Sequence, residues 1–234
     1  LIGCLPARET ETIQDLADAL AGLKSLRVIE IVETRFSPCG AWTGRSLATL
    51  CESPFLKALR VRGVRFLRDP HVILLAQKLE KNSALEELSL LCDIGKPALT
   101  AICRMLCVNT TLQELCLNRI IHGEQAYELA QALEINSTLR GLHLYFRHCV
   151  VKDIRSCFHR LMERNYTLEK VAGGWACSNI EFFLKLNRAG RGSLLGESNK
   201  ASPAEWVNVL ATQQDCVSSL FYLLSQNPTL CAAN

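Results

Sequence analysis

A four-residue phrase occurs four times in the middle of this 234-residue chain: Asn82-Ser83-Ala84-Leu85, Asn109-Thr110-Thr111-Leu112, Asn136-Ser137-Thr138-Leu139 and Asn165-Tyr166-Thr167-Leu168. The asparagines are 27, 27 and 29 residues apart. Recurrence at a near-constant period of this size defines a stacked-repeat architecture, in which one unit cannot bury its apolar face alone and does so against its neighbours. No other feature of the chain restricts the fold as strongly.

Each phrase opens a Leu-x-x-Leu-x-Leu run: Leu85/Leu88/Leu90, Leu112/Leu115/Leu117, Leu139/Leu142/Leu144 and a decayed Leu168/Val171. Upstream, Leu56/Leu59/Val61 and Leu26/Ile29/Ile31 extend the series to six units over residues 1–172. The alternation of Leu115 and Leu117 with Glu114, Cys116 and Asn118 has the period of two expected of a half-buried strand. Strands are therefore expected near residues 28–31, 58–61, 87–90, 114–117, 141–144 and 169–172. Ahead of each asparagine lies a helical period: Ala126, Leu129 and Leu133 share one face, as do Leu99, Ile102 and Leu106. The helix before Asn82 is the best punctuated, with Asp69 read as N-cap, Pro70 as the first helical residue, and Asn82 as a left-handed residue past the C-terminus.

On these residues the chain resembles leucine-rich repeat proteins of the ribonuclease-inhibitor and NOD-like receptor type. The resemblance implies an α/β solenoid, curved, with parallel strands on the concave face and helices on the convex face. One departure stands out. Where that family carries Asn or Cys at the ninth position of the repeat, this chain has Val64, Asp93, Ile120 and Arg147, so the turns after the strands are expected to be looser.

The Asn-x-Thr phrase also spells a glycosylation acceptor at Asn109, Asn136 and Asn165. The equivalent Asn82-Ser83-Ala84 keeps the asparagine without the acceptor, which points to a structural role instead. No charged segment followed by an apolar stretch opens the chain, and no run reaches the roughly 18 apolar residues of a membrane span. Leu1-Ile2-Gly3-Cys4 resembles a bacterial lipoprotein box only weakly, and the missing initiator Met reads as a fragment or processed start. The twelve cysteines include no Cys-x-x-Cys. Cys103 and Cys107 fall on a helix as small hydrophobes, without two further ligands for zinc. Free thiols and a cytoplasmic location are the expectation, with no metal and no cofactor. A net charge of +3 does not argue for nucleic acid, and the basic stretch Lys57, Arg60, Arg62, Arg65, Arg68 reads as a solvated face.

Function is expected on the outward strand positions, which form one surface about 24 Å wide if six strands lie about 4.8 Å apart. Read across the repeats, it is basic at Arg60 and Arg62 and acidic at Glu87 and Glu114. Glu30, Ser89, Cys116, His143 and Tyr145 complete the candidate set. Small, mixed side chains of this kind suit contact with another protein, so the reading is a non-enzymatic protein-binding scaffold. Two alternatives share the fold. One is an adaptor that recruits substrates to a ubiquitin ligase. The other is a thiol enzyme using Cys116 beside His143 on adjacent rungs, which would also need an oxyanion site and exclusion of water.

After Val171 the repeat breaks at Ala172-Gly173-Gly174, and residues 173–234 form a second, aromatic-rich segment expected to be helical near 179–189, 203–211 and 215–226. It is read as a cap on the solenoid's end, with a docking module as the alternative. Gly190-Arg191-Gly192 to Gly196 misses a dinucleotide-loop spacing by one residue and reads as a turn, and Gly192 to Ala201 reads as flexible. The phrase from Phe182 to Arg191 resembles a tail that follows such repeats in some leucine-rich proteins of unicellular algae.

Overall fold

A computed structural model of the chain describes residues 10–32, 42–62, 67–92, 94–118, 123–145, 151–173, 177–195 and 201–228. Helices and strands alternate through the repeats: α1 (Thr10–Ala21), β1 (Val28–Val32), α2 (Gly44–Leu50), β2 (Ala58–Arg62), α3 (Asp69–Leu79), β3 (Glu87–Leu91), α4 (Lys96–Val108), β4 (Glu114–Asn118), α5 (Gly123–Ile135), β5 (Gly141–Tyr145), α6 (Val151–Arg164) and β6 (Lys170–Ala172). Four helices follow: α7 (Ser178–Arg188), α8 (Arg191–Leu195), α9 (Pro203–Thr212) and α10 (Val217–Gln226). The strands form one parallel sheet in sequence order, β1 to β6. All six lie where the leucine pattern places them.

Register follows from the leucines. Leu59, Leu88, Leu115, Leu142 and Val171 are aligned across consecutive strands. A shift by one residue would turn every one of these side chains to the opposite face of the sheet. Leu88, Leu115 and Leu142 are at most 1 % exposed, as are Leu99, Ile102, Leu106, Ala126, Leu129 and Leu133 from the facing helices. The core is therefore a continuous layer between sheet and helices, extending into α7 through Ile180, Phe183 and Leu184.

The repeated asparagine does more than stop a helix. Its Oδ1 accepts the backbone N–H groups two and three residues on, and its Nδ2 donates to carbonyls of the preceding unit. At Asn109 the acceptor bonds come from Thr111 (3.0 Å) and Leu112 (2.8 Å), and the donor bonds go to Leu79 (2.7 Å) and Asn82 (3.3 Å). Asn136 repeats this with Thr138, Leu139, Leu106 and Asn109, and Asn165 with Thr167, Leu168, Leu133 and Asn136. Asn82 donates to Cys51 O and accepts from Ala84 and Leu85. An amide offers both donors and acceptors in one plane, so a carboxylate or a hydroxyl could not make this set.

α3 ends at its C-cap Glu80, two residues before Asn82, and the equivalent asparagine after α4, Asn109, is itself the C-cap, in an extended conformation (φ −76°, ψ 129°). The ladder accounts for the asparagine without glycosylation, since Asn109, Asn136 and Asn165 are 3–5 % exposed with the amide nitrogen engaged. The ninth positions Val64, Asp93, Ile120 and Arg147 lie outside the described residues.

Local punctuation differs from expectation in two places. The N-cap of α3 is Arg68, not Asp69. The Asp69 carboxylate instead accepts the Gly95 N–H (2.7 Å) at the N-cap of α4, tying the starts of two consecutive helices together. A Cβ on Gly95 would lie 2.3 Å from Asp69 Oδ2, so glycine is what lets the carboxylate approach. In the C-terminal segment α9 begins as expected, with Ser202 and Glu205 capping each other's backbone N–H groups. The stretch after Gly190, expected to be a turn and a flexible loop, instead holds α8. Gly190 itself is in the left-handed region (φ 98°), where a side chain would be strained.

Candidate functional site

The outward side chains of the strands are arranged in pairs across rungs. Arg60 on β2 makes a two-pronged ion pair with Glu87 on β3 (Nε–Oε1 2.5 Å, Nη2–Oε2 2.6 Å). Arg62 pairs in the opposite direction with Glu30 on β1 (3.0 Å). On β4, Glu114 reaches over β5 to His143 (3.6 Å). Gly141 makes that reach possible, since a Cβ there would fall 1.8 Å from Glu114 Oε2. The hydrogen bonds from Arg60 hold the Glu87 carboxyl below its ordinary value, with Arg62 and His143 adding smaller effects of the same sign.

These pairs join the basic and acidic positions: Arg60 and Arg62 on β2 lie between Glu30 on β1 and Glu87 on β3, while Glu87 and Glu114 are register partners and keep the acidic positions adjacent. The pairs form because the register places Arg60 beside Ser89, one residue pair from Glu87, and Arg62 across from Val32, one residue pair from Glu30. Glu30, Arg60, Arg62, Glu87, Glu114 and His143 are half-exposed or exposed, whereas Ser89 is 5 % exposed and belongs under the surface rather than on it. Tyr145 ends β5 beside Asn118; its side chain lies outside the described set. Val28 and Val32 at the β1 edge add two exposed apolar side chains.

Cys116 and His143 are register partners, as expected. Burial pushes the Cys116 thiol up, outweighing a hydrogen bond with Ser89 that works the other way. A nucleophilic thiol needs the opposite shift, and the imidazole is turned to Glu114. Among the described residues no group of three His, Cys, Asp or Glu side chains could hold a metal ion. None of the described helices is long and apolar enough to cross a membrane.

Two features behind the strand face had no signal in the reading of the sequence. The first is a groove of about 470 Å³ along the corner where helices turn into strands, lined by Ser83, Thr110, Ser137, Tyr166, Arg140 and Ser193 among others. The second is Arg191, 0 % exposed, at the start of α8. Its guanidinium donates to Met162 O (2.7 Å) and Asn165 O (2.6 Å), carbonyls at the C-terminal end of α6. It lies over the rings of Tyr166 (4.7 Å), Phe183 (4.8 Å) and Tyr222 (6.0 Å). A cation at a helix C-terminus and against π faces is favoured on both counts, and burial draws its pKa down. Phe182, Phe183 and Tyr222 complete the cluster in edge-to-face contacts at 5.4–5.9 Å.

No family model matches this sequence, and no curated protein matches it significantly. Solved structures do. A leiomodin-1 domain described as "Actin-Binding Site 2" superposes with a TM-score of 0.52 at 21 % identity, over 69 % of this chain and 91 % of that one. The tropomodulin C-terminal domain of Caenorhabditis elegans gives a TM-score of 0.43 at 10 % identity, over 77 % of this chain and 93 % of that one. The leiomodin-1 likeness, with the six-stranded parallel sheet and alternating helices, establishes a leucine-rich-repeat-like α/β solenoid fold.

Proposed function

We propose that this protein is a non-enzymatic scaffold that binds another protein through its strand face, at Glu30, Arg60, Arg62, Glu87, Glu114, Cys116 and His143, with Tyr145 at the margin. The observation that carries the reading is the cross-rung pairing. Side chains already held in place by neighbours lose little freedom on binding, and preorganisation of this kind favours specific contact. Interleaved charge gives a pattern to be matched in register instead of a field that attracts any ion of opposite sign. The solved domain of like fold is described as an actin-binding site, which makes actin the first partner to test, by cosedimentation with the intact protein.

The repeats are of the ribonuclease-inhibitor type in this reading, on their period and on one helix per unit. Residues 173–234 cap their C-terminal end, supported by the core running on into α7. Eight free thiols among the described cysteines support a reducing, cytoplasmic setting.

The decisive variant is the double exchange Arg60→Glu with Glu87→Arg, which restores the ion pair but inverts its direction. Affinity for a partner captured by the intact protein should fall at least tenfold while the thermal midpoint stays within a few degrees, as for exposed substitutions that cost about 0.5 kcal/mol. Unchanged affinity would move the interface off the strand face.

A further inference from the structure

A cleft of about 400 Å³ lies between α6 and α7, on the helical side of the solenoid. One wall is α6, which contributes Arg155, Ser156, His159 and Arg160, spaced so that all four fall on one face of the helix. The other wall is the start of α7, with Cys177 and Asn179. Phe158, Leu161 and Met162 of α6 are turned the other way, into the core, so the cleft and the strand face are on opposite sides of the molecule.

Charge in the cleft is unbalanced. Of the carboxylates described on these two helices, Glu163, which also lines the cleft, lies against His159 (3.9 Å), and Glu181 lies against Arg188 (2.9 Å). Arg160 is exposed and has no carboxylate partner among the described residues. The His159 ring is braced edge-on against Phe183 (6.0 Å), which fixes the α6 wall against α7. The facing wall has the same sign. Cys177, the N-cap of α7, makes no side-chain bond to the first turn, and the first amides of a helix have no partner inside it. An anion seated between the walls meets guanidinium donors on one side and backbone donors on the other.

Glu163 narrows the kind of anion. A carboxylate beside the arginines repels a polyanion such as nucleic acid, whereas a chain that carries one phosphoryl group and a nearby cation matches both signs. We propose that this cleft recognises a phosphorylated serine or threonine of a partner protein, with a basic residue of the same segment set against Glu163. A phosphoryl group carries about −1.5 to −2 charges at neutral pH, and arginine clusters are a recurring means of reading such segments. The site does not depend on what the strand face binds.

The test uses the full chain, labelled with nitrogen-15, and four probes: a short alanine-glycine peptide with one phosphoserine and one lysine three positions away, its unphosphorylated twin, inorganic phosphate, and phosphatidylcholine vesicles containing a phosphatidylinositol phosphate. The phosphopeptide should shift the amide signals of Ser178, Asn179 and Ile180 and bind at least tenfold more tightly than its twin or phosphate. Arg160→Glu should weaken it at least tenfold and Arg160→Lys only in part, since lysine keeps the charge without the planar fork. Both variants should keep the parent's thermal midpoint, because Arg160 is exposed and unpaired. The Arg60→Glu, Glu87→Arg exchange should leave phosphopeptide binding unchanged. Equal binding of the twin, or indifference to Arg160→Glu, would overturn the proposal. Phosphate binding as tight as the phosphopeptide would mark an adventitious ion only, and tighter binding to the vesicles would mark a membrane contact; either would overturn it too.

Discussion

Arg191 holds a full charge where water cannot reach it, so its lost hydration must be offset by the groups around it. Two carbonyls at the end of α6 and three aromatic rings supply the offset. Taking the guanidinium away leaves those carbonyls short of donors, at about 1–3 kcal/mol for a buried acceptor. Arg191→Leu should therefore lower stability by roughly 2–4 kcal/mol in denaturant unfolding. Arg191→Lys should recover only part of that, because an ammonium cannot reproduce the planar fork or the stacking. Equal stability of Arg191→Leu and the parent would show that the cage is indifferent to charge. Nothing in the sequence around Gly190 and Gly192 distinguishes this arginine from a solvated one. Its burial is decided by Tyr166, Phe183 and Tyr222, which lie 8 to 31 residues away and come together only in the folded protein.

Among elements, what was legible is what repeats. Strand positions, register and helix faces follow from leucine spacing, since one pattern read six times averages out local noise. The double use of the asparagines was not legible, because an N-terminal or C-terminal cap and a ladder rung demand the same residue type. Nor was the interleaving of Arg60, Arg62, Glu30 and Glu87, which depends on side-chain directions between neighbouring rungs. Helix position also sets thiol chemistry. Cys51 in the core and Cys103 on the buried face of α4 are pushed up to about 12 by burial. Cys216, at the N-cap of α10, is drawn down by hydrogen bonds from Ser219 and by the charge of Lys185. Alkylation with iodoacetamide near neutral pH, followed by peptide mass spectrometry, should label Cys216 first among the described cysteines. Cys51 and Cys103 should stay unlabelled until the protein unfolds. Early labelling of Cys103 would mean that α4 separates from the sheet in the native state.

At the scale of the molecule, the capping reading of residues 173–234 makes a strong demand. Phe158, Leu161 and Leu168 are fully buried in a cluster shared with Ile180, Phe183 and Leu184. Exposing each such side chain costs about 1.5–3 kcal/mol, and a domain has only about 5–15 kcal/mol in all. A chain ending at Gly173 should aggregate or melt far below the full protein in a thermal scan. A soluble, monomeric fragment with the parent's melting temperature would instead make residues 173–234 an independent module.

Each asparagine of the ladder bonds to the unit before it and to the amides two and three residues further on in its own unit, so each inner rung presents the same set of carbonyls to the next. The units are thus exchangeable parts, joined at a standard coupling. Removing residues 109–135 would bring Asn136 to the end of α4, with its amide facing Leu79 O and Asn82 O as Asn109 does now. That shortened protein should fold, with a lower but cooperative thermal transition. A cut of the same length taken between mid-helix positions that are not equivalent would leave two mismatched couplings and should not. A gene encoding such a chain can change its length by duplication or loss at the asparagine codons, without any other residue having to adapt.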